Sequence, residues 1–136
     1  MNLQKLIEEL KRDEGVKFKP YHCSADKLTI GVGRNLEDVG ISEAESDFLL
    51  ANDIDNCVSE LKRTFNWYDN LSDVRKRVMV NMCFNLGLSR LLNFKKFLKA
   101  VEVADWQEAG VQMLDSKWAR QVGPRATRLK DMMVEG

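Results

Sequence analysis

The amino-acid sequence predicts an α+β fold that is mostly helical, with a small β element confined to the first third of the chain. Three observations carry that expectation. Apolar residues recur at helical spacing through most of the 136 residues. Between about residues 17 and 35 the pattern changes to alternation, broken by glycines. Directly afterwards, Ser42 with Glu45 three residues on reads as a capping box opening a long helix. The expected layout is one domain over 1–136: a small N-terminal lobe with a hairpin or three-stranded sheet (about 15–40), a linking helix (about 42–65) and a larger helical lobe (about 71–136), with a cleft between the lobes.

The elements follow in order. Leu3, Leu6, Ile7 and Leu10 place helix one at about 2–13, with Gly15 as its C-cap. Phe18, Pro20 and His22 alternate with Lys17, Lys19 and Tyr21; Ser24-Ala25-Asp26-Lys27 supplies the turn, and Leu28, Ile30 and Val32 continue on the return strand. Gly31 and Gly33 permit close backbone approach. Asp38-Val39-Gly40 interrupts the pattern. In the linking helix, Phe48, Leu49, Ile54, Val58 and Leu61 mark the stripe expected to be buried. Phe65 to Asn70 connects to a helix opened at Leu71 or Ser72 and ended by Gly87. Its Val74, Val78, Met79, Met82, Cys83 and Leu86 make it apolar on most sides, as a central core helix should be. Shorter helices are expected near 93–101, 104–114 and 116–121, and a last one from Pro124, a favoured first-turn residue.

Composition narrows the function classes. An apolar fraction of 44% and a charged fraction of 31% are those of an ordinary globular protein. Net charge is zero but unevenly placed: residues 41–74 carry two basic and eight acidic groups, and residues 75–136 twelve basic and six acidic. The basic region suits either a solvated helical surface or contact with an anionic polymer. No reading-helix motif or aromatic–basic interleaving supports nucleic acid as that polymer. Cys23, Cys57 and Cys83 are widely spaced and there is one histidine, so neither a zinc site nor any other metal site is expected. The cysteines suit a reducing compartment, with Cys57 and Cys83 as core residues. Residues 1–12 lack the apolar core of a secretory signal, and no run of eighteen apolar residues predicts a membrane span.

The most informative segment is Asp13 to Leu36. Glu14 falls at a helix end facing the alternating segment, a good position for a general acid, since partial burial raises a carboxyl pKa. Glu14, eight residues, Cys23, five residues, Thr29, then Ile30-Gly31-Val32-Gly33 resembles the catalytic signature of the tailed-phage lysozymes, glycoside hydrolase family 24, in which an Asp or Cys stands between the Glu and the Thr. Asn81 to Gly87 resembles that family's central helix. Ser116-Lys117-Trp118 followed by Pro124 to Arg128 resembles its C-terminal basic element. The resemblance covers nearly the whole chain.

It implies a lysozyme-like fold and an endolysin: a muramidase cleaving the β-1,4 bond between N-acetylmuramic acid and N-acetylglucosamine in peptidoglycan, without metal or organic cofactor. It also implies a monomer made in the bacterial cytoplasm, without stable membrane contact, reaching the wall after a separate holin-type protein opens the membrane. Glu14 takes the place of the acid. Cys23 could act as base on an attacking water, as a nucleophile forming a thioglycoside, or as an orienter of water beside Thr29; Lys19, His22 and Lys27 are the neighbours able to lower its pKa. A base or water-positioning role implies inversion, with acid and base about 6.5–9.5 Å apart. Asp26 is a rival base but reads as turn chemistry. Arg125 matches an arginine that pairs with the acid. Phe84, Gln112 and Asn35 match cleft positions, Phe84 also reading as core. Tyr21 matches an aromatic near the acid, or simply packs. Arg34 stands where relatives commonly have His, which leaves that family's His–carboxylate pair without its His. Trp67, Trp106 and Trp118 read as core. The other readings are a lytic transglycosylase on the same scaffold, which needs the acid but no strong base, and an inactive peptidoglycan-binding module.

Overall fold

A computed structural model describes residues 1–136. The chain is mostly helical with one three-stranded antiparallel sheet, and it divides into two compact units, Met1–Phe48 and Leu49–Gly136. The division falls inside the long helix. No helix is long and apolar enough to cross a membrane.

In the first unit, α1 (Leu3–Glu14) starts at Asn2, whose side chain accepts from the Lys5 amide at 3.0 Å, and stops at Gly15, whose φ of 76° lies outside the helical region. Strands β1 (Lys17–His22), β2 (Leu28–Gly31) and β3 (Arg34–Asn35) follow in the order β1-β2-β3. Tyr21 pairs with Thr29, and Thr29 with Asn35. The expected alternation of β1 is not realised in burial. The register slips between Lys17 and Tyr21, and the displaced Phe18 is 87% exposed. Val32 also leaves the return strand, because the chain turns through Gly31 and Gly33 toward β3. Thr29 is the one fully buried side chain of this unit, at 3% exposure.

With so little apolar burial, polar bonds close the first unit. Asn35 and Asp38 exchange two hydrogen bonds, and Glu37 accepts from the Leu28 amide at 2.9 Å. The Arg34 guanidinium makes a fork-to-fork pair with Glu45 at 2.7 and 2.8 Å and donates to the Gly40 carbonyl. Glu45 belongs to α2 (Glu43–Thr64) and completes the capping box, with the Ser42 amide on its carboxylate at 2.9 Å and its own amide on the Ser42 hydroxyl at 3.1 Å. Arg34 thus supplies the cation of a cation–carboxylate pair that ties the last strand to the first turn of α2.

The stripe expected to be buried along α2 holds only at its far end. Phe48 is 69% exposed, Leu49 and Ile54 are also exposed, Val58 is half-buried and Leu61 is fully buried. A helix of 22 residues is about 33 Å long and outruns the core that its C-terminal turns reach.

The second unit holds that core. After a 3₁₀ turn at Tyr68–Asn70, Ser72 caps α3 (Asp73–Leu86), which buries Val78, Met79, Met82 and Cys83. The short α4 (Leu88–Leu91), unanticipated because one turn gives no periodicity, adds buried Leu91. Around them pack α5 (Lys95–Glu102), α6 (Trp106–Leu114), α7 (Lys117–Val122) and α8 (Pro124–Glu135). Trp118 is buried with its indole N–H on Asn85 Oδ1 at 2.8 Å, while Trp67 and Trp106 pack partly buried against the core. Arg75 stacks 3.7 Å over Trp106 and donates to the carbonyls of Met133 and Val134, closing the end of α8.

The Arg34 pair holds the Glu45 carboxyl down at about 2, against an ordinary 4.5. Because the folded value is the lower one, its contribution to stability is complete above about 4.5 and is lost as pH falls toward 2. In Arg34→Ala the Glu45 carboxyl should titrate closer to its ordinary value, and the acid limb of the stability profile should flatten. Carboxyl NMR titration and urea unfolding at several pH values measure the two effects.

Candidate active site

Three elements of the first unit position the candidate catalytic residues. Glu14 is the last residue of α1, Cys23 follows β1, and Thr29 lies in β2. The Glu14 side chain runs along the backbone of the β2–β3 turn. A methyl group built on Gly33 would sit 2.7 Å from its Oε2, 3.1 Å from its Cδ and 3.3 Å from its Cγ. A side chain at position 33 would push the Glu14 carboxylate aside, and the turn also needs the φ of +65° that glycine adopts freely. Glu14 itself is exposed, so the partial burial expected of it is absent.

Cys23 and Thr29 are brought together. The Cys23 amide bonds the Lys27 carbonyl at 3.0 Å and the Asp26 amide bonds the Cys23 carbonyl at 2.8 Å, closing a tight turn. Asp26 occupies its positive-φ position at 58°, a role that Asp tolerates, and lies 3.4 Å from His22 Nδ1 with its side chain 93% exposed. The backbone at Lys27 and Ala25, then the Thr29 hydroxyl, lower the Cys23 thiol pKa from 9.0, with burial opposing them. Two of the three cations expected to do this, Lys27 and His22, face elsewhere. Lys27 Nζ lies 3.6 Å from Asp38 and 4.0 Å from Glu37, and the His22 ring faces Asp26. Thr29 has one hydroxyl proton, which it gives to the Lys27 carbonyl at 2.7 Å. Rotation of that hydroxyl redirects the proton to the sulfur once the thiol ionises.

The candidate sugar-binding residues separate into three places. Asn35 is in the first unit, its amide committed to Asp38. Phe84, 45% exposed, and Arg125 line one groove of about 620 Å³ in the second unit, with Ile54, Val58, Val80 and Asn81. Arg125 places two donors on Asn81 Oδ1, at 2.9 and 2.7 Å. The expected partner of this arginine was the acid; the bond formed within its own unit is to an amide of α3. Gln112 lines a different groove of about 740 Å³ with Trp118, Lys117, Lys95 and Lys96, and its amide donates to Glu108 at 2.7 Å. Tyr21 is half-buried opposite Thr29. The backbone groups of Ala25 and Lys27 had no signature in the sequence beyond the turn itself, since any residue carries them.

Residues 11–131 match the family model described as phage lysozyme. The chain belongs to the phage lysozyme family. Within this family it is 28% identical to the probable T4-type lysozyme 2 of Dictyostelium discoideum, over 96% of this chain and 94% of that one. It is 27% identical to the endolysin of Acyrthosiphon pisum secondary endosymbiont phage 1, over 82% and 75% of the two chains. It is 24% identical to part of the pre-baseplate central spike protein Gp5 of Enterobacteria phage T4, covering 96% of this chain and 28% of that protein. The family model starts three residues before Glu14 and includes Cys23 and Thr29.

The three thiols of this family member differ in environment. Burial raises the Cys57 thiol and pushes Cys83 up to about 12, whereas Cys23 is lowered. Iodoacetamide at neutral pH should therefore modify Cys23 first, with Cys57 and then Cys83 reacting only on unfolding. Peptide mass mapping over a time course reads the order.

Proposed function

We propose that this chain is a lysozyme of the endolysin type, hydrolysing the β-1,4 bond between N-acetylmuramic acid and N-acetylglucosamine in peptidoglycan. The single observation that carries the reading is the paired placement of Glu14 on the Gly33 turn and Cys23 beside Thr29, in a chain matched to the phage lysozyme family.

In this mechanism Glu14 protonates the leaving glycosidic oxygen. A sugar ring laid over the exposed carboxyl removes water from it and favours the protonated form, so substrate supplies the burial that the free protein lacks. On the opposite face of the ring, Cys23 and Thr29 hold the attacking water. The thiolate accepts its proton, and the Thr29 hydroxyl, free to rotate from the Lys27 carbonyl, keeps the water or the sulfur in place. The product is inverted at the anomeric carbon. Phe84 offers an apolar face to a sugar ring, and Arg125 and Gln112 offer polar contacts to the polymer from the two grooves, while Asn35 contributes only by exchanging its Asp38 partner for a sugar hydroxyl. No metal or organic cofactor takes part in this scheme. The enzyme works as a monomer and reaches the wall after a separate holin-type protein opens the membrane.

Glu14→Gln should abolish lysis of sacculi with the fold intact by circular dichroism, a loss of at least about a hundredfold. Cys23→Ser should be much weaker than wild type and Cys23→Asp active. Product analysis in ¹⁸O-labelled water separates the chemistries: a labelled reducing end is expected, a 1,6-anhydro end would assign a transglycosylase, and sacculus binding without any fall in turbidity would assign a binding module. A matched glycine pair tests the placement of the acid. Gly31 and Gly33 have nearly equal φ, 68° and 65°, but nothing lies within 4 Å of a methyl at Gly31. Both alanine variants share the backbone strain, so Gly33→Ala should lose far more lytic rate than Gly31→Ala; equal losses would separate Glu14 from the turn.

A further inference from the structure

A single peptide group, the one joining Lys27 to Leu28, stands behind the two residues that handle water in the proposed reaction. Its carbonyl accepts two hydrogen bonds, from the Cys23 amide at 3.0 Å and from the Thr29 hydroxyl at 2.7 Å. Its N–H donates to Glu37 Oε1 at 2.9 Å. The other carboxylate oxygen of Glu37 lies 4.0 Å from Lys27 Nζ. Glu37 sits just after β3, and its segment is anchored on either side. The Leu36 amide donates to the Leu28 carbonyl at 2.8 Å, and the Asp38 amide donates to Asn35 Oδ1 at 3.1 Å. All of these residues belong to the first unit.

We propose that Glu37 is a positioning residue for the hydrolysis: by fixing the Lys27–Leu28 peptide it sets Cys23 and Thr29 on one carbonyl and so places the attacking water. The inference rests on the assignment of Cys23 and Thr29 to that water. A peptide group is planar, so a bond that fixes the direction of its N–H also fixes the direction of its C=O. A carboxylate acceptor makes that bond charge-assisted and shorter-ranged in its geometry than a neutral one. It also polarises the amide, which makes the carbonyl on the far side a better acceptor for the Cys23 amide and the Thr29 hydroxyl. The alignment matters because displacing a reacting group by about 1 Å can cost on the order of a hundredfold in rate.

The ion pair with Lys27 is the lesser part of what Glu37 does. Asp38 Oδ1 lies closer to that ammonium, at 3.6 Å, so Lys27 stays paired when Glu37 is replaced. What a substitution at position 37 removes is the bond to the Leu28 amide. Glu37 is exposed, so the change leaves the apolar core untouched. A bond that merely closed the unit would cost stability and scale the rate by the same factor whatever residue stood at position 23. A positioning bond is coupled to that residue, and its effect shrinks when the group it aligns is gone.

The test is a double-mutant cycle in the full chain, assayed for kcat and KM on soluble glycan strands of peptidoglycan, with the fold followed by circular dichroism. Glu37→Gln keeps an oxygen for the Leu28 amide and Glu37→Ala keeps none. Glu37→Ala should lower kcat about tenfold with KM within about twofold of wild type, and Glu37→Gln should recover kcat to within about threefold. In a Cys23→Ser background, Glu37→Ala should cost less than about twofold more. The Cys23 amide should exchange with deuterium faster in Glu37→Ala than in Glu37→Gln. Glu37→Met, of similar length and without a carboxyl, reads the same loss should the alanine variant not fold. Folded alanine or methionine variants with wild-type kcat, a glutamine variant as slow as alanine, or an undiminished tenfold loss on top of Cys23→Ser would each overturn the role of Glu37 and leave the catalytic assignment standing. Wild-type activity of Cys23→Ser by itself would remove that assignment and the proposal with it.

Discussion

The bidentate contact between Arg34 and Glu45 is the interaction on which the first unit depends, because almost nothing apolar is buried there. Thr29 alone is fully covered. A segment that cannot gain stability by removing apolar surface from water must close through polar bonds whose geometry is fixed. Arg34 links the last strand, the Gly40 carbonyl and the first turn of α2 in one cluster. Glu45 serves that cluster twice, as ion-pair partner and as the far half of the capping box. Lysine could supply the charge but not the planar fork that reaches both carboxylate oxygens and a carbonyl together.

The second unit is held differently. Its core is a set of apolar side chains around α3, several of them methionines, with Trp118 and Arg75 fixed by single directed contacts. Unbranched methionines fill irregular gaps between short helices that meet at varied angles. The chemistry proposed here thus resides in a unit governed by directed hydrogen bonds, where a turn can aim backbone groups at a sulfur. The unit dominated by non-directional packing carries the apolar grooves.

Much of this was legible in the sequence, and the misses have physical causes. Boundaries marked by caps were read closely: Gly15, Ser42 with Glu45, Ser72, Gly87 and Pro124 all fall at helix ends, since each answers a local demand of the backbone. The exposed stretch of α2 was not legible, because periodicity reports which face is apolar and not whether anything covers it. Phe48 and Leu61 have the same sequence character and opposite exposure. At the candidate site, Cys23 and Thr29 were joined in the sequence by the family signature rather than by strand register. The source of the thiol's lowered pKa was not legible, because charged neighbours are visible in a sequence and backbone amides are not. The exposure of Glu14 was missed for a related reason: a helix end facing a sheet says nothing about its outer side.

The turn from Cys23 to Lys27 bears on what residue 23 can be. A thiol at its ordinary pKa is a poor base at neutral pH, and a carboxylate needs no help to be ionised. Backbone donors aimed at the side chain of residue 23 are therefore of greater consequence for cysteine than they would be for aspartate. They lower the thiol pKa without help from Lys27 or His22, which matters because a nearby cation would form a competing ion pair and draw the thiolate away from the water it must activate. Lys27 is kept on Glu37 and Asp38, and His22 on Asp26, leaving the sulfur with amides and one rotatable hydroxyl. The same donors would serve an aspartate oxygen equally well, so the local backbone accommodates either residue, and what the cysteine form depends on is that the turn stays closed.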